Sequence, residues 1–380
     1  MQAKERLTIT MKTVFSAIGR YIKETDWMLM LCCFSLSSFS TLLIYSLYKN
    51  GEIGRLNTVL VQPAMALCGI VAAIVLSKID YHMMARLWKW HSVLCYGLAL
   101  LVFPFGIQRV DWVDDKAWLP IPFTSISFQP SELAKITLNL FLAAYISSRA
   151  RQMRTGKGLL EPFLLVLPIV GIVGIENLST CIILLAISFI MIFVATPLYK
   201  PFLGLIGIGV AGAVLLILTQ RYRMQRITVW LDPASSDKGE QTMQGLYAIG
   251  SGGLFGKGLG QSMQKLGFLP EANNDMIFSV ICEELGLFGA LCVLALFFAL
   301  LWRFMVIAIN APDLYGSMLV IGVIAHIGIQ VFINIAVATN TMPNTGIPLP
   351  FISYGGSSLV FLLLEMGLVL SVSRYIKIKK

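Results

Sequence analysis

The chain has 380 residues, of which 57% are hydrophobic and 13% charged, with a net charge of +9 and a mean hydropathy of +0.79. A soluble domain carries about 25% charged residues, so this composition excludes an ordinary soluble enzyme and indicates a polytopic membrane protein. The 29 Lys and Arg residues are scattered between apolar runs, which argues against nucleic-acid binding and for loops facing anionic lipid.

Residues 1–26 are basic and mixed, and are expected to form a cytoplasmic N-terminal segment. The apolar run Trp27–Leu47 reads as a signal-anchor, since further spans follow it. On a criterion of about 20 residues per span, about ten transmembrane helices are expected. They fall near 27–47, 58–77, 91–108, 129–147, 160–175, 179–197, 201–219, 276–301, 315–340 and 357–373. The fold class is therefore an all-α polytopic membrane protein, with residues 27–380 as one membrane domain. A long outer loop, 220–275, separates the seventh and eighth spans. With the N-terminus inside, the cytoplasmic segments hold 18 Lys and Arg and the outer segments ten. Six of those ten sit in the one long loop, where they count least. Both termini are thus expected to be cytoplasmic.

The seven cysteines all lie in apolar runs without a Cys-x-x-Cys pair, and read as buried small hydrophobes. His82, His91 and His326 are too far apart for a zinc signature.

Five stretches carry chemistry. Phe128–Lys135 (FQPSELAK) opens the fourth span. Pro130 suits a first helical turn, and Glu132 and Lys135 are spaced to pair; charge at that depth is either functional or paired. Glu176–Thr180 (ENLST) joins the fifth and sixth spans and reads as a tight turn with a helix cap. The run Gly250–Gly260 is not a Walker loop. It is either a packed re-entrant segment or a set of backbone N–H groups near a pyrophosphate, with Lys257 and Lys265 adding charge. Glu271 and Asp275 are four apart and share a face if the segment is helical, and Asp275 sits where the next apolar helix begins. Glu283 and Glu284 lie deeper in that helix and require a cation from elsewhere, Lys135 or another at similar depth. Pro343–Ser358, with three prolines and a Gly pair, is irregular backbone, which membrane depth tolerates only when it is buried or lines a cavity.

These motifs resemble the SEDS family of cell-wall polymerases (FtsW, RodA and SpoVE). The likeness runs from about residue 115 onward and rests on FQPSELAK at 128–135, AIGSGGLFGKGLG at 248–260, LPEANNDMIF at 269–278, EELG at 283–286 and GIPLPFISYGGSS at 346–358. It implies about ten spans and a glycosyltransferase that polymerises lipid II outside the bacterial cytoplasmic membrane. It also implies a class B penicillin-binding protein as transpeptidase partner, and other division proteins. The family's essential carboxylate falls on Asp275, the candidate general base, with a divalent cation (Mg or Mn) as a candidate cofactor held there. Arg221, Arg223, Lys257, Lys265, Glu271, Glu132, Lys135 and Ser353 are the candidate substrate-binding residues. The usual Glu-Ala-His-Thr-Asp is here Glu271-Ala272-Asn273-Asn274-Asp275, so no histidine can act at that place. Asp114–Trp118 departs from Gly-Ala-Lys-Arg-Trp, and Glu176–Thr180 departs from Pro-Asp-Leu-Gly-Thr. With Gly-Leu-Phe-Gly-Lys-Gly, the second departure places the chain nearer the FtsW branch, and so septal duty, than RodA-type elongation. Two other classes stay open: a lipid II flippase or transporter, which needs a polar path through the inner half, and a division scaffold, which has no use for Asp275.

Overall fold

The computed structural model describes residues 25–49, 56–105, 118–120, 127–198, 200–204, 206–207, 209, 221–236, 239–265 and 267–376. Among the described residues, seven helices are long and apolar enough to cross a membrane: α1 (Trp27–Lys49), α2 (Leu56–Lys78), α6 (Gly156–Glu176), α7 (Leu178–Ala195), α10 (Ile277–Asn310), α11 (Leu314–Ala338) and α12 (Gly356–Arg374). Two further helices, α4 (Trp88–Phe105) and α5 (Pro130–Ser148), stand at the expected third and fourth spans. The expected seventh span, 201–219, lies mostly outside the described residues, as do most of the N-terminal segment and residues 114–117. The described residues also include the short helices α3 (Tyr81–Arg86), α8 (Arg221–Leu231) and α9 (Glu240–Gly252). The sole sheet among the described residues is a two-residue antiparallel pair, β1 (Leu119–Pro120) and β2 (Ser127–Phe128), with Leu119 opposite Phe128.

Helix boundaries follow local chemistry. Pro130 opens α5, where its missing N–H leaves no helical bond unmade. α6 and α7 are separated by Asn177 alone, whose Oδ1 accepts from Thr180 N at 3.0 Å; this is the tight, capped hairpin expected. Asp313 caps α11 in the same way, accepting from Gly316 N at 2.8 Å. α11 and α12 form the centre: two-thirds of their apolar stretches are buried, against 28% for α2, whose other faces are left for lipid. Cys32, Cys33 and Cys282 are buried as expected, but Cys68 and Cys292 are exposed on outward faces of α2 and α10.

The segment 220–275 departs from the simple outer loop expected. α9 folds back along the first turns of α10, so that a Cβ at Gly245 would lie 3.3 Å from Ser279 Oγ and one at Gly252 only 1.9 Å from Cys282 O. The turn after α9 then crosses α10 at Gly286, where φ is +67° and the helix is broken. Lys257 N donates to Glu283 O and Gly258 N to Glu284 O, both at 2.9 Å; Leu287 N donates to Gly253 O at 2.9 Å and Phe288 N to Leu254 O at 3.0 Å. These bonds satisfy the carbonyls and amides that the broken helix orphans. A Cβ at Gly256 would meet Glu284 O at 2.2 Å, so only glycine permits this backbone-on-backbone crossing. Gly286 is nine residues into α10, roughly 14 Å along it.

Candidate active site

Asp275 sits one residue before Met276, the N-cap of α10, and is 4% exposed. It lies not in a helix but in a run of tight turns over 267–276, in which Glu271 adopts φ +55°. The segment is not helical, so the condition under which Glu271 and Asp275 would share a helical face is not met.

What fixes this run is the irregular 343–355 segment, whose Ile347, Leu349, Phe351 and Ile352 are all buried. It is a packed wall and not an exposed loop. Ser40 of α1 donates from Oγ to Ile352 O at 2.7 Å, and the fully buried Gln62 of α2 donates to Ser353 O at 3.4 Å and accepts from Gly355 N at 3.4 Å. Against this wall, three successive carbonyls of the turn are held. Asn273 O accepts from Tyr354 N at 2.8 Å, Asn274 O from Ser353 Oγ at 2.6 Å, and Asp275 O from Asn334 Nδ2 of α11 at 2.8 Å.

The Asp275 carboxylate is held by neutral groups. Gln241 of α9 donates from Nε2 to Oδ1 at 3.3 Å, Asn344 Nδ2 donates to Gln241 Oε1 at 3.0 Å, and Arg226 of α8 donates to Asn344 O at 2.9 Å. No described Lys or Arg forms an ion pair with it. Burial pushes its pKa up to about 7, and the Glu271 charge adds to the rise; its own backbone, Arg226 and Asn344 pull it back. A carboxyl poised there can accept a proton near neutral pH.

Two turns deeper, Glu283 and Glu284 are wholly buried and neutralised. Lys257 Nζ is 2.7 Å from Glu283 Oε1, and Ser262 Oγ and Met263 N also donate to that carboxylate. Lys265 Nζ is 2.6 Å from Glu284 Oε1 and 2.7 Å from Ser46 Oγ of α1. The cations are therefore Lys257 and Lys265 from the folded-back segment, not Lys135. In α5, Lys135 pairs with Glu132 at 2.8 Å, as the three-residue spacing predicts, and Ser358 of α12 donates to Glu132 Oε2 at 2.9 Å. A further buried pair, His326 of α11 and Glu365 of α12 at 2.8 Å, was not foreseen.

The candidate residues thus divide. Asp275 and Glu271 come together beside the wall. Lys265 is fully enclosed in its ion pair and turned away from any solvent-facing surface, while Lys257, with a third of its side chain exposed, also closes a pair. Within the glycine run, the N–H groups of Lys257 and Gly258 donate to carbonyls of α10, as in a packed re-entrant segment. Ser353 Oγ donates to Asn274 O and accepts from Leu349 N at 2.7 Å, so it holds backbone. Arg221 and Arg223 open α8, but their side chains lie outside the described residues. Gln241, Asn334, Asn344 and Arg226 were missed; the one readable signal was Gln330 and Asn334, two amides four apart in an apolar helix. Among the described residues, no three His, Cys, Asp or Glu side chains gather as they would to hold a metal ion.

The family model for FtsW, RodA and SpoVE, described as "Cell cycle protein", matches residues 26–378. Stage V sporulation protein E of Bacillus subtilis (strain 168) is 40% identical over 317 residues, 81% of this chain and 84% of that protein. The probable peptidoglycan glycosyltransferase FtsW of Geobacter sp. (strain M18) is 34% identical over 93% of this chain and 98% of its own length. Among solved structures, a chain from a peptidoglycan synthase complex that coordinates polymerisation and crosslinking superposes with a TM-score of 0.78, at 26% identity over 93% of this chain and 99% of that one. The Thermus thermophilus rod shape determining protein RodA superposes at 0.68, also at 26% identity, over 93% and 97%. The fold agrees with these matches, and the chain belongs to the FtsW/RodA/SpoVE family.

Proposed function

We propose that this protein is a peptidoglycan glycosyltransferase that polymerises lipid II at the outer face of the bacterial cytoplasmic membrane. The observation that carries the reading is Asp275: buried, held by uncharged donors, and with a pKa near 7. The acceptor sugar hydroxyl is a poor nucleophile until its proton is removed. Asp275 takes that proton as the hydroxyl oxygen bonds to the donor's anomeric carbon. The bond from that carbon to the lipid-linked pyrophosphate breaks, and the pyrophosphate leaves with the electron pair. Positive charge favours that departure; Arg226 contributes to the field at Asp275, and Arg221 and Arg223 are proposed to face the pyrophosphate. Lys135 and Glu132 line the adjacent bundle interior as a neutral pair. A Mg or Mn ion is proposed to arrive with the substrate's pyrophosphate, since the described residues offer no cage of their own. Chelation is then expected to slow polymerisation without lowering the melting temperature of the substrate-free protein.

The charge asymmetry supports cytoplasmic termini and a 220–275 segment facing outward. Cysteine placed at Ser235, in a variant with its own cysteines replaced, is expected to react with an impermeant thiol reagent in intact cells. The FtsW-named relatives, which span nearly the whole chain, support septal duty. The synthase-complex neighbour supports a class B penicillin-binding protein as partner, with other division proteins around it. The deciding experiment is polymerisation of lipid II by the purified chain, with and without that partner. Glycan strands made by the wild type and not by Asp275→Asn support the proposal. Translocation of lipid II without polymer would favour a flippase, and wild-type growth of an Asp275→Asn strain would favour a scaffold.

A further inference from the structure

Asn334 lies one turn before the end of α11 and is wholly buried. Its Nδ2 donates to two carbonyl oxygens at once, those of Asp275 and Ile347, each at 2.8 Å. Both amide protons are thereby used, and its Oδ1 has no partner among the described residues. One turn earlier on the same face, Gln330 donates from Nε2 to Pro348 O at 3.0 Å. The two amides differ in one respect: Gln330 holds the wall alone, and Asn334 holds the wall and Asp275 together.

We propose that Asn334 is the positioning residue that sets the reach of Asp275 toward the acceptor hydroxyl, an inference that rests on Asp275 being the base. Asp275 hangs from a run of turns, four residues after Glu271 at φ +55°, with no helix directly before it to fix its backbone. Its neighbours Asn273 and Asn274 are tied to Tyr354 and Ser353, which belong to the irregular wall themselves. Asn334 supplies the tie from a regular, two-thirds-buried helix. Because one nitrogen bonds both carbonyls, the backbone carrying the base and the backbone of the wall cannot separate without breaking a bond. A planar carboxamide offers two donors in fixed geometry, which a hydroxyl does not. A base must sit within about 2.6–3.2 Å of the proton it takes, and a displacement near 1 Å can cost about 10²-fold.

The test is a double-mutant cycle on the purified full-length chain, with lipid II as substrate. Asn334→Leu is expected to lower kcat by about 10–100-fold while KM stays within about threefold. Asn334→Ser, which keeps one donor, recovers part of that loss, and Gln330→Leu changes kcat by less than about threefold. In an Asp275→Glu background, where the carboxylate is already displaced, Asn334→Leu costs less than about threefold more. A full multiplicative loss in that background would overturn the proposal, as would an unchanged kcat with raised KM, or a Gln330→Leu loss equal to that of Asn334→Leu. If Asn334→Leu does not fold, Asn334→Ala, which leaves room for a water between the carbonyls, runs through the same cycle. Failure of both to fold while Asn334→Ser polymerises normally would make the role structural and overturn the proposal. An active Asp275→Asn protein would instead defeat the reading of the base itself, whatever Asn334 does.

Discussion

Asp275 and the pair Glu283–Glu284 are buried carboxylates within ten residues of one another, yet they are held in opposite ways. Glu283 and Glu284 each touch an ammonium at 2.7 and 2.6 Å, while Asp275 is held by amides and by its backbone. A buried carboxylate with a cation in contact has its charge neutralised and serves the fold. One surrounded by neutral donors keeps a proton affinity that chemistry can use. Burial alone therefore does not mark a reacting group; what marks Asp275 is burial with no ion-pair partner among the described residues.

Substitutions that remove each carboxylate or its partner test that contrast. The largest expected effect is on Asp275→Asn, which keeps the shape and removes the basic oxygen. Polymerisation of lipid II is expected to fall by about 10²–10⁴-fold, measured as glycan product by the purified protein. Its stability should move the other way. The folded pKa of Asp275 is raised, so its contribution to stability is fully present below the unfolded value of 3.8 and is lost as pH rises through about 7. Asp275→Asn is thus expected to melt higher than wild type at alkaline pH and to lose that advantage in acid.

Next in size is Lys265→Met, which leaves Glu284 buried and uncompensated. Loss of one partner of a buried pair costs about 3–5 kcal/mol, so the melting temperature in detergent should drop sharply. Adding Glu284→Met should restore much of it. A Lys265→Met protein as stable as wild type would erase the contrast between the two regions. Smaller again is Ser353→Ala, which leaves Asn274 O and Leu349 N without their hydroxyl; a loss of about 1–3 kcal/mol is expected. The smallest effect belongs to Glu271→Gln. It removes the like charge that raises Asp275, so activity in mildly acidic buffer should rise by a few fold with the rate at alkaline pH unchanged.

The contrast was only partly legible in the sequence. Long apolar runs located the spans, and Glu132 and Lys135 declared their pairing because both partners lie on one helix, three apart. Glu283 and Glu284 announced that they needed cations, but Lys257 and Lys265 come from a segment about 20 residues away. Their approach depends on a glycine crossing that composition does not encode. The groups that hold Asp275 were the least visible. Gln241, Asn334 and Asn344 are ordinary amides, each from a different element, and they converge only once α9, α11 and the wall are in place. The positive φ at Glu271 has no sequence signal, because a residue other than glycine adopts it.

The measurement that tests the central claim most directly is the pH–rate profile of lipid II polymerisation, taken from about pH 5.5 to 8.5. A base with its pKa near 7 must be deprotonated to act, so the rate should be level above that value and fall about tenfold per unit below it. A profile flat across this range, as a carboxyl titrating near the ordinary value of 3.8 would give, would contradict the assignment of Asp275 as the base.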